Sequence, residues 1–111
     1  MSILSRGEIW VVNFDPQTGA EIQKKRPAIV IDTDIVAQTN TLPLRVVVPL
    51  TTASNRCKGI FWMIPILKSG LNGLKSDSFA DASQIKSISE QRFVSKIGLI
   101  EPAILNEIVI A

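Results

Sequence analysis

The sequence predicts a mainly β (α+β) fold, a small twisted antiparallel sheet or half-barrel closed by one C-terminal helix. Three observations predict it. Apolar residues fall in short runs rich in β-branched and aromatic side chains, each run stops at proline, glycine or charge, and helical spacing is convincing only after Glu101-Pro102. With 111 residues, 46% of them hydrophobic, the chain can bury one modest core, so residues 1–111 are expected to form a single domain.

Residues 8–14, EIWVVNF, read as the first strand, stopped by Asp15-Pro16 and Gly19. A polar loop leads into residues 26–32, RPAIVID, where Pro27 suits the first position of a strand because it has no ladder donor to offer. Residues 34–44 contain Asn40 and Pro43 and show no sustained period, which predicts a loop or irregular arm. Residues 45–50, RVVVPL, are a continuous apolar run suited to a buried strand, with Pro49 marking a bulge or an end. A small, polar, basic loop is expected over 51–59, then a fourth strand over 60–66, IFWMIPI. Gly70 and Gly73 limit residues 68–75 to a loop or one helical turn. Residues 78–82 and 84–88 predict two short strands or one bent one, 89–92 a turn, and 93–100 the last strand. Pro102 suits the start of a helix, in which Ile104, Leu105, Ile108 and Val109 are spaced to share a face.

Composition excludes several kinds of chemistry. No apolar run approaches the roughly 18 residues needed to span a bilayer, and residues 1–6 lack the pattern of a signal peptide. A cytoplasmic protein without membrane contact is the expectation. Cys57 is the only cysteine and there is no histidine, so neither a multi-thiolate zinc site nor the commonest metal ligand is available. No metal or cofactor is expected. The chain also lacks a GxxxxGK[ST] phosphate loop and a GxSxG elbow.

The net charge is only +2, but it is unevenly placed: Lys24, Lys25 and Arg26 are consecutive, and Arg45, Arg56 and Lys58 form a second basic group. This predicts either a basic face or an ordinary solvated surface. Arg26 stands between a polar loop and a strand, a placement that aims a planar guanidinium from a firm support at a phosphate. Thr51 closes the run 45–50, where its hydroxyl either bonds a phosphoryl oxygen or caps the strand. Alternation along a strand would let only one of Thr51 and Thr52 face a site, with Thr52 the substitute if Thr51 turns inward.

The chain resembles the MazF/PemK family of toxin ribonucleases. RGEIW (6–10), Asp15-Pro16, Gly19 and RPAIVI (26–31) match the family's first strand, loop and second strand; Val46 to Thr51 and QIKSI (84–88) follow in the family's order. The resemblance covers almost the whole chain. It implies a CcdB-like, SH3-like barrel, a homodimer, and metal-independent cutting of single-stranded RNA, chiefly messenger RNA, which halts translation and growth until a cognate antitoxin binds. Any contact with DNA would be indirect, through the antitoxin.

The family's catalytic pair carries over to Arg26 and Thr51. Glu21, in the loop before Arg26 where the family often has a glutamate, is the candidate base, or else the ion-pair partner of Lys24 or Lys25. Lys24, Lys25, Thr52, Arg56 and Lys58 are candidates for gripping RNA, and Gln84 for reading a base edge. The residue before that glutamine is often acidic in relatives and is Ser83 here, with Asp81 as a substitute carboxylate. Trp10 and Trp62 are either core residues or stacking platforms for bases. Two other functions remain open: a CcdB-like toxin that binds gyrase, and an inactive relative that only binds RNA or an antitoxin.

Overall fold

The computed structural model describes residues 4–14, 25–32, 44–54 and 58–111. Glu21, Lys24, Arg56 and residues 34–43 of the arm expected over 34–44 lie outside the described residues, and Leu44 belongs to a strand. Among the described residues, seven strands, β1 (Glu8–Asn13), β2 (Lys25–Val30), β3 (Leu44–Thr52), β4 (Met63–Ile66), β5 (Ser78–Asp81), β6 (Lys86–Ser89) and β7 (Phe93–Leu99), precede a terminal α-helix, α1 (Pro102–Ile110). The strand order is β4-β5-β3-β2-β1-β7, with β6 paired to β3 off this path. All the strand pairings are antiparallel. The mainly β sheet closed by a terminal helix is the architecture that the short apolar runs predict.

Period-two alternation explains how one sheet serves two cores. Ile9, Ile29, Val48 and Leu50 point to a cluster with Ile64, Ile66, Leu74, Ala80, Ile100 and Ile108, the last from α1. Their neighbours Trp10, Ala28, Val30 and Val47 point the other way, to Leu4, Val12, Phe14 and Ile88. Both faces of the central strands are therefore dry, which is why 45–50 reads as continuously apolar rather than alternating. Burying an isoleucine such as Ile29, fully enclosed here, contributes on the order of 1.5–3 kcal/mol.

The middle strand β3 changes partners along its length. One side pairs with β2 over Val47 to Pro49, while the other pairs first with β6 over Leu44 to Val47 and then with β5 over Leu50 to Thr52. That second partner corrects the loop expected from residue 51. Thr51 and Thr52 remain in the strand because Phe79 and Ser78 supply their ladder partners.

Three other expectations are corrected. The fourth strand begins at Met63, not residue 60, because residues 58–62 form turns that leave Phe61 exposed in edge-to-face contact with Trp62. Ala82–Gln84 is a one-turn 3-10 helix capped by Asp81, so the next strand starts at Lys86. In α1, which has Pro102 at its start as expected, Ile104 and Leu105 are half-buried and Ile108 is buried, but Val109 is exposed.

Arg45 corrects the expected second basic group. Its side chain is fully buried in a pair with Asp32, so it adds nothing to a positive surface. The Arg45 guanidinium donates through Nε and Nη2 to Asp32 and through Nη1 to the Leu4 carbonyl at 2.7 Å, while Asp32 Oδ2 accepts from the Val46 amide at 3.0 Å. Arg6 donates to the Ile31 carbonyl, and the Gly7 amide donates to the Val30 carbonyl. The chain before β1 is thus pinned to the end of β2. No helix among the described residues is long and apolar enough to cross a membrane.

Candidate active site

Strand register brings the residues of interest together. On one side of β2, Val11 pairs with Pro27 and Val12 with Arg26. On the other, Ala28 pairs with Pro49, and carrying that register two residues further sets Arg26 level with Thr51. Beyond β3, Thr51 pairs with Phe79 and Thr52 with Ser78. Arg26 and Thr51, separated in the chain by a strand and a long connection, thereby meet at one place on the sheet.

They line an open cavity of about 270 Å³. Its floor is apolar, from Val11, Pro27, Leu50, Leu74 and Ile97, with the buried Ser78 donating to the Ser76 carbonyl at 3.1 Å, and its rim carries Lys25, Arg26, Lys75 and the hydroxyls of Thr51, Thr52 and Ser76. Among the described residues that line it there is no carboxylate. Three cations around a partly enclosed space give a field that attracts and orients an anion, and hydroxyls supply hydrogen-bond donors. An apolar floor beneath such a rim suits a ligand with both a phosphate and a ring.

The expected residues divide into three groups. Arg26, Thr51, Thr52 and Lys25 come together in the cavity. Both threonines line it, against the expectation that alternation would admit only one; Thr51 is half-buried and Thr52 exposed, where β3 ends. Lys58 and Gln84 are placed elsewhere: Lys58 is exposed in the turn after β3, and Gln84 is half-buried in the 3-10 turn that packs against β3, outside the cavity lining. Glu21, Lys24 and Arg56 belong to the third group, outside the described residues.

The substitute carboxylate, Asp81, is occupied. Its Oδ1 accepts from the Ser83 amide at 3.0 Å and from the Ser83 hydroxyl at 2.5 Å. Trp10 is a core residue: its indole donates to Glu8 Oε1 at 3.0 Å and its ring meets Phe93 edge-on. Trp62 is partly exposed and does not line the cavity.

Lys75, Ser76 and Ser78 were missed by sequence reasoning. Lys75 and Ser76 come from a glycine-containing loop and Ser78 opens β5, and the only local signal is a basic residue followed by serines at the start of a strand. The loop itself is tightly built. Asn72 is buried, its Oδ1 accepts from the Ser69 and Leu74 amides, both at 3.0 Å, and its Nδ2 donates to the Leu67 carbonyl at 2.8 Å. Gly73 has φ +67° and lies so close to β7 that a Cβ would fall 2.0 Å from the Ile97 carbonyl oxygen.

Comparison with known proteins gives this arrangement a family. Residues 5–111 match the model of the PemK-like, MazF-like toxin of type II toxin-antitoxin systems. The chain is 32% identical to Endoribonuclease MazF9 of Mycobacterium tuberculosis over 106 residues, 96% of this chain and 90% of that protein. The fold is similar to the crystal structure of MazF from Deinococcus radiodurans, with a TM-score of 0.77 at 21% identity, covering 98% of this chain and 92% of that one. It is also similar to a mycobacterial endoribonuclease solved in complex with its cognate antitoxin, with a TM-score of 0.71 at 16% identity over 96% of this chain and 87% of that one. The chain belongs to the PemK-like, MazF-like toxin family.

Proposed function

We propose that this protein is a metal-independent endoribonuclease, the toxin of a type II toxin-antitoxin pair, with Arg26 and Thr51 as its catalytic residues. The observation that carries the reading is the meeting of Arg26 and Thr51 in a cavity rimmed by cations. Family membership and the endoribonuclease relative support the same reaction class.

In this reaction the ribose 2′-oxygen attacks the adjacent phosphorus, and the bond from phosphorus to the 5′-oxygen of the next nucleotide breaks. The 2′-hydroxyl proton passes to a base and the leaving 5′-oxygen takes up a proton, giving a 2′,3′-cyclic phosphate and a 5′-hydroxyl. Negative charge builds on the non-bridging oxygens in between. A guanidinium that donates two hydrogen bonds in one plane lowers the barrier there, by roughly 3–4 kcal/mol per well-placed donor. Thr51 holds the same phosphate through its hydroxyl. Glu21, five residues before Arg26 in the chain, is the proposed base.

Single-stranded RNA is the proposed substrate, because an unpaired strand can lay one nucleotide across an apolar floor with its phosphates at the rim. Lys25 and Thr52 hold the strand in the cavity; Lys24, Arg56 and Lys58 extend the grip, and Gln84 reads a base edge beside it. Cutting messenger RNA would halt translation and growth. The cognate antitoxin is proposed to lay an acidic segment across the same basic rim, supported by the mycobacterial relative solved with its antitoxin. A homodimer is part of the reading, supported by exposed apolar side chains at Leu67, Leu99, Val109 and Ile110; sedimentation as a monomer at micromolar concentration would count against it.

The test is direct. Purified protein is incubated with a long single-stranded RNA in excess chelator, beside Arg26→Ala and Thr51→Ala. Cutting in chelator with cyclic-phosphate ends, lost in both variants, is the expected result. Loss of cutting with chelator overturns the metal-free mechanism, and undiminished cutting by the variants overturns the pair.

A further inference from the structure

We propose that Lys75 is a substrate-positioning residue of this site, a fixed cation that holds the RNA phosphate next to the one being cut. The proposal rests on the ribonuclease reading above. Lys75 lines the cavity from the loop between β4 and β5, whereas Lys25 and Arg26 approach from β2. Cations from separate elements therefore share the rim, and a strand with a phosphate at every nucleotide can engage more than one of them.

What makes this more than a stray surface lysine is the support under it. The two ends of the loop are tied to each other, the Lys68 amide donating to Asp77 Oδ1 at 2.9 Å, and its far end is tied to the sheet, the Ala53 amide donating to the Asp77 carbonyl at 2.9 Å in continuation of the ladder between β3 and β5. Between those ends Asn72 fastens the turn from inside, and the Leu99 amide donates to the Leu71 carbonyl at 3.0 Å. Gly73 presses on Ile97, and a Cβ on Gly98 of β7 would fall 2.3 Å from the Asn72 carbonyl oxygen. Leu74, next to Lys75, is buried in the core cluster under α1. The backbone that carries Lys75 is thus held on three sides, and no ion pair of Lys75 is present among the described residues. Its ammonium is a point charge available to a phosphate, and no carboxylate among the described residues has to be displaced from it first.

A phosphate contact has a signature that a structural role lacks: it weakens binding to all sequences alike and contributes to the salt dependence. The experiment measures binding of a fluorescent single-stranded RNA whose 2′-hydroxyls are methylated, so that it cannot be cut, across a range of salt. Wild type, Lys75→Gln, Lys75→Arg and the control Lys68→Gln, an exposed lysine outside the cavity, are compared, and cutting of unmodified RNA is followed in parallel. Lys75→Gln should weaken binding roughly three- to tenfold, lower the slope of log affinity against log salt by about one, and raise KM with little change in kcat. Lys75→Arg should restore both binding and slope, and Lys68→Gln should match wild type. Wild-type slope and KM in Lys75→Gln, or an equal loss in Lys68→Gln, overturns the proposal while wild-type cutting leaves the ribonuclease reading in place. A wild-type protein that neither binds nor cuts RNA removes the ribonuclease reading and this proposal with it.

Discussion

Arg45 and Asp32 form a buried fork-to-fork pair, with Nε to Oδ2 at 2.9 Å and Nη2 to Oδ1 at 2.6 Å, and the Arg45 side chain has no exposed surface. Charges this enclosed are tolerated because every strong donor and acceptor has a partner, including the Leu4 carbonyl and the Val46 amide. Removing one partner strands the other. Arg45→Ala should cost about 3–5 kcal/mol in denaturant unfolding. The double variant Arg45→Met with Asp32→Ala should be less unstable than the sum of the two single changes, and strict additivity would show that the pair is not energetically coupled.

Gly73 and Gly59 both have positive φ, at +67° and +78°, yet their surroundings differ: a Cβ at Gly73 meets Ile97 backbone at 2.0 Å, and one at Gly59 meets nothing within 4 Å. Gly59→Ala should therefore cost only the backbone penalty, about 1–2 kcal/mol. Gly73→Ala should cost more, because the loop must also leave β7, and binding at the cavity should weaken with it. Thermal melts of the two variants side by side provide the comparison; equal shifts would show that the close approach is not limiting.

Burial alone would raise the Glu8 carboxyl pKa, but hydrogen bonds from the Trp10 indole and the Ser5 amide, together with Lys96 Nζ at 3.0 Å, outweigh it and hold the group below the ordinary glutamate value. The ionised form is thus favoured more by the folded chain than by the unfolded one. Its contribution to stability is complete above the ordinary value and disappears as the pH falls through the lower folded value. Wild type should melt higher than Glu8→Gln near neutrality, with the gap closing below about pH 4. A gap independent of pH would assign the difference to packing.

For the proposed chemistry, Arg26→Ala should lower kcat by about 100- to 1,000-fold while leaving the melting temperature nearly unchanged, since Arg26 stands at the half-buried start of β2. Arg26→Lys should recover little, because an ammonium cannot present two coplanar donors. Single-turnover cleavage with saturating protein isolates this effect from binding, and full rescue by lysine would reduce Arg26 to a source of charge.

Most strands were legible because packing and propensity agree. EIWVVN and PAIV are rich in β-branched or aromatic residues and lie against both cores, although Pro27, expected to open its strand, is the third residue of β2 and pairs with Val11. The errors arose where a partner distant in the chain decides the outcome. Thr51 and Thr52 have loop-like composition, but β5 gives them a ladder; residues 60–62 are apolar enough for a strand, but Phe61 finds no core. Arg45 looked like surface charge because Asp32, thirteen residues earlier, does not announce itself as its partner. For the site, Arg26 and Thr51 are named by the family resemblance alone, and what the register adds is that the two lie level on neighbouring strands. Lys75 was invisible because nothing in its own loop tells which strand the loop rests on.

The pairing of β1 with β7 bears on when the cavity can exist. One wall comes from Val11 in β1 and another from Ile97 in β7, and these strands pair at opposite ends of the chain. Contacts of such sequence separation form late relative to local ones. A chain cut short before β7, or one still emerging during its own synthesis, carries Arg26 and Thr51 but lacks Ile97 from the floor beneath them. The cavity is complete only once β7 has docked on β1, so truncations that remove β7 should be harmless to RNA even though every proposed catalytic residue is present.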